Sequence, residues 1–168
     1  MLCLCTRLLE AGGRPHFIGY YVLVLALQGR PWTDIDRAEK AALMQPLAEA
    51  GADILCLAGF MRVLTPAFIS LWSGRILNIH PSILPLFPGL DTHARALAAG
   101  MAVHGCTVHE VTPELDSGPI LGQGVVPVLP GDTPATLAAR LLPMEHRLYP
   151  AVLRRFAASD RRPVSLFP

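Results

Sequence analysis

The stretch Gly74-Arg-Ile-Leu-Asn-Ile-His-Pro-Ser-Ile-Leu-Pro-Leu-Phe-Pro-Gly89, with Leu115-Asp-Ser-Gly-Pro119 further on, decides how this chain is to be read. Arg75 to Ile79 is a short, largely apolar run suited to a buried strand, and Asn78 and His80 stand at its end. Residues two apart in an extended segment project from one face, so the Asn78 amide and the His80 imidazole point the same way. Pro81, Pro85 and Pro88 stiffen the loop that follows. Asp116 sits in a second loop, flanked by Gly118 and Pro119. Polar groups at the carboxyl end of a strand, beneath a restricted loop, suit the crevice where open α/β sheets bind ligands.

Working outward, the pattern alternates strand and helix. Asp53 to Ala58 reads as a strand covered on both faces, and Gly59 to Arg62 as a loop. Thr65 and Pro66 open a short helix that ends near Gly74, with Thr as cap and Pro in the first turn. Thr92 to Ala99 predicts a helix closed by Gly100, and Val103 to Thr112 a longer strand beside Ile120 to Val128. Pro113 to Pro119 is an acidic linker with the character of a mobile loop. Gly131-Asp132-Thr133-Pro134 starts a last helix, which Pro143 and Pro150 should break or kink before Ala158. The tail from Arg161 to Pro168 looks frayed. The expected fold is α/β: an open, mostly parallel twisted sheet with helices on both faces, in one domain over 1–168.

The beginning is less regular. Phe17 to Leu27 reads as a strand, and Arg37 to Ala50 as a helix stopped by Gly51 and disturbed by Pro46. No GxGxxG and no Gly-rich loop ending in Lys-Ser/Thr occurs there. The run from Phe17 is far short of the ~20 residues that span a bilayer, and no good cleavage site follows it. Membrane attachment is therefore not expected.

Composition narrows the function classes. Of the 168 residues, 52% are hydrophobic and 16% charged, and 14 Lys+Arg against 13 Asp+Glu leave a net charge of +1. Without a basic stripe, nucleic acid is a poor partner. Cys3, Cys5, Cys56 and Cys106 form no paired framework and no zinc knuckle. Cys56 and Cys106 read as small buried hydrophobes of a protein in a reducing cytoplasm. The six histidines have no partner spacing that makes a metal site.

The chemistry open to these residues is proton transfer and oxyanion stabilisation. An imidazole relays protons near neutral pH, and an amide N–H meets a developing negative charge without adding one of its own. Asp116 can return across the crevice to orient the ring. From composition and spacing alone an alternative stands beside this: Asn78 caps the strand, His80 is a core histidine and Asp116 a solvent-facing turn residue.

A set of motifs tips the balance. Leu57-Ala-Gly-Phe-Met-Arg62, Asn78-Ile-His-Pro-Ser82, Pro88-Gly89 with Thr92-His93, Gly105 to His109, Leu115-Asp-Ser-Gly-Pro119 and Glu145-His-Arg-Leu-Tyr-Pro150 occur in this order. From about residue 52 onward the chain resembles the folate-dependent phosphoribosylglycinamide formyltransferases of purine synthesis. The resemblance implies a formyltransferase-like fold. It also implies transfer of a formyl group from the co-substrate 10-formyltetrahydrofolate to the amine of glycinamide ribonucleotide, without a metal. Asn78, His80 and Asp116 become the catalytic trio. Leu57, Met61, Arg62, Val63, Leu64, Val111, Thr112, Glu114, Leu115 and Asp116 would surround the folate. Met61, Ile79, Pro81 and Glu145 would meet the glycinamide ribonucleotide, Glu145 through its ribose hydroxyls. His93 falls to loop structure, His109 to a structural place on its strand, and His104 and His146 to no role. The implied protein is cytoplasmic, a monomer or homodimer, with small-molecule partners and neither nucleic acid nor membrane.

The chain departs from that pattern in places. Residues 1–51 are atypical for the family and lack the strand–loop–helix unit whose amides grip a substrate phosphate. Residues 52–158 form the family-like core and 159–168 a tail. The departure points to a truncated or misread beginning, or to a divergent member with phosphate contacts elsewhere. A silent folate-binding α/β domain, or a related formyltransferase or hydrolase, is the alternative. Hydrolases of the family usually carry a second His where this chain has Pro81.

Overall fold

The computed structural model describes residues 53–59 and 64–167. The expected strand at Phe17, the expected helix at Arg37, the expected lack of a phosphate-binding unit and most of the Gly59–Arg62 loop fall on residues outside them. The chain divides into two compact units, 1–77 and 78–168. The described residues hold five strands.

In the first unit, β1 (Leu55–Ala58) is followed by α1 (Pro66–Leu71) and the start of β2 (Ile76–His80). The Leu55 N–H donates to the Arg75 carbonyl at 2.8 Å, which ties β1 to the approach to β2. Thr65 caps α1 as its sequence predicts, its hydroxyl accepting from the Phe68 N–H at 3.3 Å, with Pro66 where a missing N–H does no harm. Leu55, Cys56, Leu57, Leu64, Ile69 and Trp72 are buried here.

The second unit holds α2 (Thr92–Ala98), β3 (Val103–Glu110), β4 (Ile120–Pro127), α3 (Pro134–Ala157) and β5 (Val164–Leu166). β3 and β4 pair antiparallel, Cys106 opposite Gly124, and β4 and β5 pair parallel. These three strands thus mix an antiparallel and a parallel pairing. The reason is connection length: the short 111–119 loop cannot make the crossover of a dozen or more residues that a parallel pair needs.

α3 buries Leu137, Leu141, Met144, Leu148, Val152 and Phe156 along one stripe. It lies close to β4: a Cβ added at Gly122 would stand 2.5 Å from Val152 Cγ2, and one at Gly124 2.5 Å from Met144 Cγ. Thr133 closes a capping box with Thr136 at its start. Of the expected break or kink at Pro143 and Pro150, no break occurs, and the helix runs 24 residues. The carbonyls they leave without an N–H partner belong to Ala139 and His146, both on the exposed face, where water can satisfy them.

The tail is not frayed either. Arg155 and Arg162 pair with Asp160, Arg161 lies 3.4 Å over the Phe156 ring, and Val164–Leu166 adds the edge strand. No helix among the described residues is long and apolar enough to cross a membrane.

Candidate active site

The carboxyl end of β2 carries Asn78 and His80, and the loop beyond it is fastened to β3 and β4. The Thr107 hydroxyl donates to the Ser82 carbonyl at 2.7 Å and accepts from the Leu84 N–H at 3.0 Å. The Gln123 amide donates to the Leu84 carbonyl at 2.8 Å. The Ser82 hydroxyl donates to the Leu86 carbonyl at 2.6 Å. These bonds, made by buried or half-buried side chains, give the 81–90 loop one shape, beyond what its prolines enforce.

His80 is buried, with both ring nitrogens facing oxygen. Nε2 stands 3.0 Å from the Phe87 carbonyl, and Nδ1 stands 3.4 Å from Asp116 Oδ2. A protonated imidazole therefore has an acceptor for each N–H. Asp116 reaches this place from the β3–β4 loop with a left-handed backbone (φ 50°), a conformation Asp tolerates better than most residues. Its Oδ2 also accepts from the Gly89 N–H at 2.8 Å, and its side chain is 9% exposed.

His109 completes the arrangement. Its Nδ1–H donates to the Glu110 carbonyl at 3.0 Å, and its Nε2 stands 3.2 Å from Asn78 Nδ2 and 3.7 Å from Asp116 Oδ1. Burial, the largest influence, holds its pKa below the ordinary imidazole value; the Glu110 carbonyl and the Asp116 charge oppose that, and His80 adds to it. The neutral ring with its proton on Nδ1 accepts from the Asn78 amide and so fixes which way that amide faces. Asn78 Oδ1 is buried without a partner.

The structure thus brings together Asn78, His80 and Asp116 and adds His109, for which the sequence suggests only a structural place on its strand. Its place in the Gly105–His109 motif, one strand end before the Asp116 loop, was the available signal. Thr107 and Gln123 were not foreseen, because the cross-strand register that joins them is a tertiary fact.

Other expected site residues are placed as follows. Leu115 is exposed, 4.0 Å from where a Cβ on Gly89 would stand. Thr112 donates to the Glu114 carbonyl at 3.3 Å, inside the same loop as Val111. Ile79 is buried core, and the half-buried Pro81 offers its carbonyl to His104. Leu57 and Leu64 are buried in the first unit, while Met61, Arg62 and Val63 lie outside the described residues. Glu145, on α3, has a carboxyl pushed upward by burial. The neighbouring Cys106 thiol is pushed up to about 12 by burial and by the Glu145 charge, so it is no nucleophile. Cys56 and Cys106 are both buried, as their sequence predicts. No group of three or more His, Cys, Asp or Glu among the described residues is arranged to hold a metal ion.

Known proteins place this geometry in context. The family model described as "Formyl transferase" matches residues 21–153, starting within the segment 1–51 expected to be atypical. The phosphoribosylglycinamide formyltransferase of Escherichia coli (strain K12) is 53% identical over 105 residues, covering 62% of this chain and 50% of that protein. The chain therefore spans about half the length of that relative. Among solved structures, the phosphoribosylglycinamide formyltransferase of Brucella melitensis is 59% identical with a TM-score of 0.69, covering 74% of this chain and 64% of that one. The enzyme from Anaplasma phagocytophilum is 39% identical with a TM-score of 0.73, covering 77% and 70%. With the family match running through both strands and both loops that carry the Asn78–His80–His109–Asp116 cluster, the chain belongs to the formyl transferase family.

Proposed function

We propose that this chain transfers a formyl group from 10-formyltetrahydrofolate to the primary amine of glycinamide ribonucleotide. The observation that carries the reading is the Asp116 carboxylate, 3.4 Å from His80 Nδ1 and 3.7 Å from His109 Nε2, with Asn78 bonded to the same His109. The activity for which the relatives are named and the order of the motifs support it.

The amine nitrogen attacks the formyl carbon and forms a C–N bond, and the formyl oxygen takes up negative charge. The second N–H of the Asn78 amide, left free by the bond to His109, and the protonated His80 ring stabilise that oxygen. Asp116 holds the imidazolium and accepts a proton from the attacking nitrogen, directly or through water. The bond from the formyl carbon to folate nitrogen then breaks, and the proton ends on that nitrogen. Neither covalent enzyme chemistry nor a metal is needed for these steps.

Leu57, Met61, Arg62, Val63, Leu64, Val111, Thr112, Glu114 and Leu115 are proposed to line the folate. Met61, Ile79, Pro81 and Glu145 are proposed to meet the ribonucleotide. The Glu145 carboxyl offers two oxygens to ribose hydroxyls.

The test supplies 10-formyltetrahydrofolate with and without glycinamide ribonucleotide. Formyl on the amine, with little formate released when the amine is omitted, supports transfer. Equal formate release in both arms makes the chain a hydrolase, and no turnover despite folate binding makes it a silent binding domain.

A further inference from the structure

His80 and Asp116 share a support that neither chemistry nor motif assigns: the backbone of Phe87 to Leu90. The peptide between Phe87 and Pro88 has no N–H, so it offers only its carbonyl, which stands 3.0 Å from His80 Nε2. The next peptide, between Pro88 and Gly89, gives its N–H to Asp116 Oδ2 at 2.8 Å. Its other end, the Pro88 carbonyl, accepts from Arg95 Nη1 at 2.6 Å. The same nitrogen donates to the Leu90 carbonyl at 3.2 Å. The guanidinium also lies 5.5 Å over the Phe87 ring.

We propose that Arg95 is a positioning residue for His80 and Asp116, acting through the rigid Pro88–Gly89 peptide. The proposal rests on the formyl-transfer reading for its kinetic arm. Three observations converge on it. The planar peptide transmits orientation: pinning its carbonyl on one side fixes the direction of the N–H on the other. A cation on the carbonyl polarises the unit, so its N–H binds the Asp116 carboxylate more strongly than an unassisted amide does. The segment is also strained at both ends, with Phe87 at φ 55° and Asp91 at φ 56°. Such conformations persist only where surrounding contacts over-determine them, and Arg95 contacts the strained Phe87 ring and both carbonyls that flank Gly89. Its own backbone is fixed within α2, where its N–H donates to the Asp91 carbonyl at 3.0 Å.

Arg95 is exposed and sits on a helix where alanine fits, so Arg95→Ala should fold. The variant is assayed for formyl transfer, with the ¹⁵N shifts of the histidine rings read in parallel at fixed pH. The expected result is a fall in kcat of about tenfold with both KM values within about twofold. The His80 ring signals move, those of His146 stay, and millimolar guanidinium recovers part of the rate. Arg95→Lys keeps the charge but not the planar group that serves two carbonyls and a ring, and recovers only a fraction. Should the chain transfer no formyl group at all, the functional reading fails and the His80 signals still decide this proposal. Unmoved His80 signals, or a kcat fully restored by Lys, would overturn it.

Discussion

A methyl group added at Gly118 tests whether the Asp116 loop must be closed against the end of β3. In Gly118→Ala the new Cβ would stand 1.8 Å from the Glu110 carbonyl oxygen, 2.9 Å from its carbon and 3.1 Å from Thr112 Cγ2. Real Cβ atoms essentially never approach below 3.0 Å, so the loop must withdraw by about 1.2 Å from backbone that is itself part of a strand. The first contact to open is the Glu110 N–H to Pro119 carbonyl bond of 2.9 Å. Asp116 lies two residues upstream, and its 3.4 Å approach to His80 lengthens with the loop. A misplacement of this size costs about 10²-fold in rate, and overpacking with one lost backbone bond costs about 2–4 kcal/mol. Steady-state formyl transfer gives kcat and urea unfolding gives stability. The expected outcome is a folded protein with kcat down about 10²-fold. A variant that loses stability yet keeps its full kcat would refute the reasoning, because Asp116 would then not depend on this closure.

Two predictions concern pH. Burial lowers the His104 pKa from 6.5 to about 4, with smaller contributions from His93 and His80 against a raising bond to the Pro81 carbonyl. His93, whose ring centroid is 5.0 Å away, and His109 are lowered by burial too. For a base lowered on folding, stability is fully present above the unfolded value and is lost as pH falls through the folded one. His104 alone should withdraw roughly 3 kcal/mol between about pH 6.5 and pH 4, and urea unfolding at both ends measures it. His104→Asn, which keeps a donor near the Pro81 carbonyl and cannot ionise, should flatten that slope in part; an unchanged slope contradicts the assignment. Asp132, bonded to Arg140, the Leu129 N–H and Thr136 at the start of α3, has a carboxyl held well below its usual 3.8. Its contribution is present above that value and lost as pH falls further. Asp132→Asn should therefore lower Tm at neutral pH and converge on the parent in strong acid, and a constant difference at every pH would contradict it.

The legible parts of the fold were those written in local chemistry. Thr65-Pro66 and Thr133-Pro134 are caps with a mechanism, and the apolar runs at Leu55 and Ile76 can be little but buried strands. The illegible parts depend on partners distant in sequence. Pro143 and Pro150 read as breakers because nothing local shows that the carbonyls they orphan face water. Val164–Leu166 is too short to announce a strand and exists through its pairing with Gly122–Gly124. The trio was visible as motifs, but its supports were not. His109 looks like any strand histidine until β3 is laid beside β2, and Thr107 becomes a staple only once Ser82, Leu84 and Gln123 surround it.

His80 and Asp116 are expected to act together on a formyl group. The most direct measurement is formyl transfer from 10-formyltetrahydrofolate to glycinamide ribonucleotide by the 168-residue chain, compared with His80→Ala, Asp116→Asn and the double variant. The parent should turn over, each single variant should lose about 10²–10⁴-fold, and the double should lose little more, because the two side chains work as one unit. Turnover that survives both substitutions, or single losses that multiply in the double variant, would contradict it.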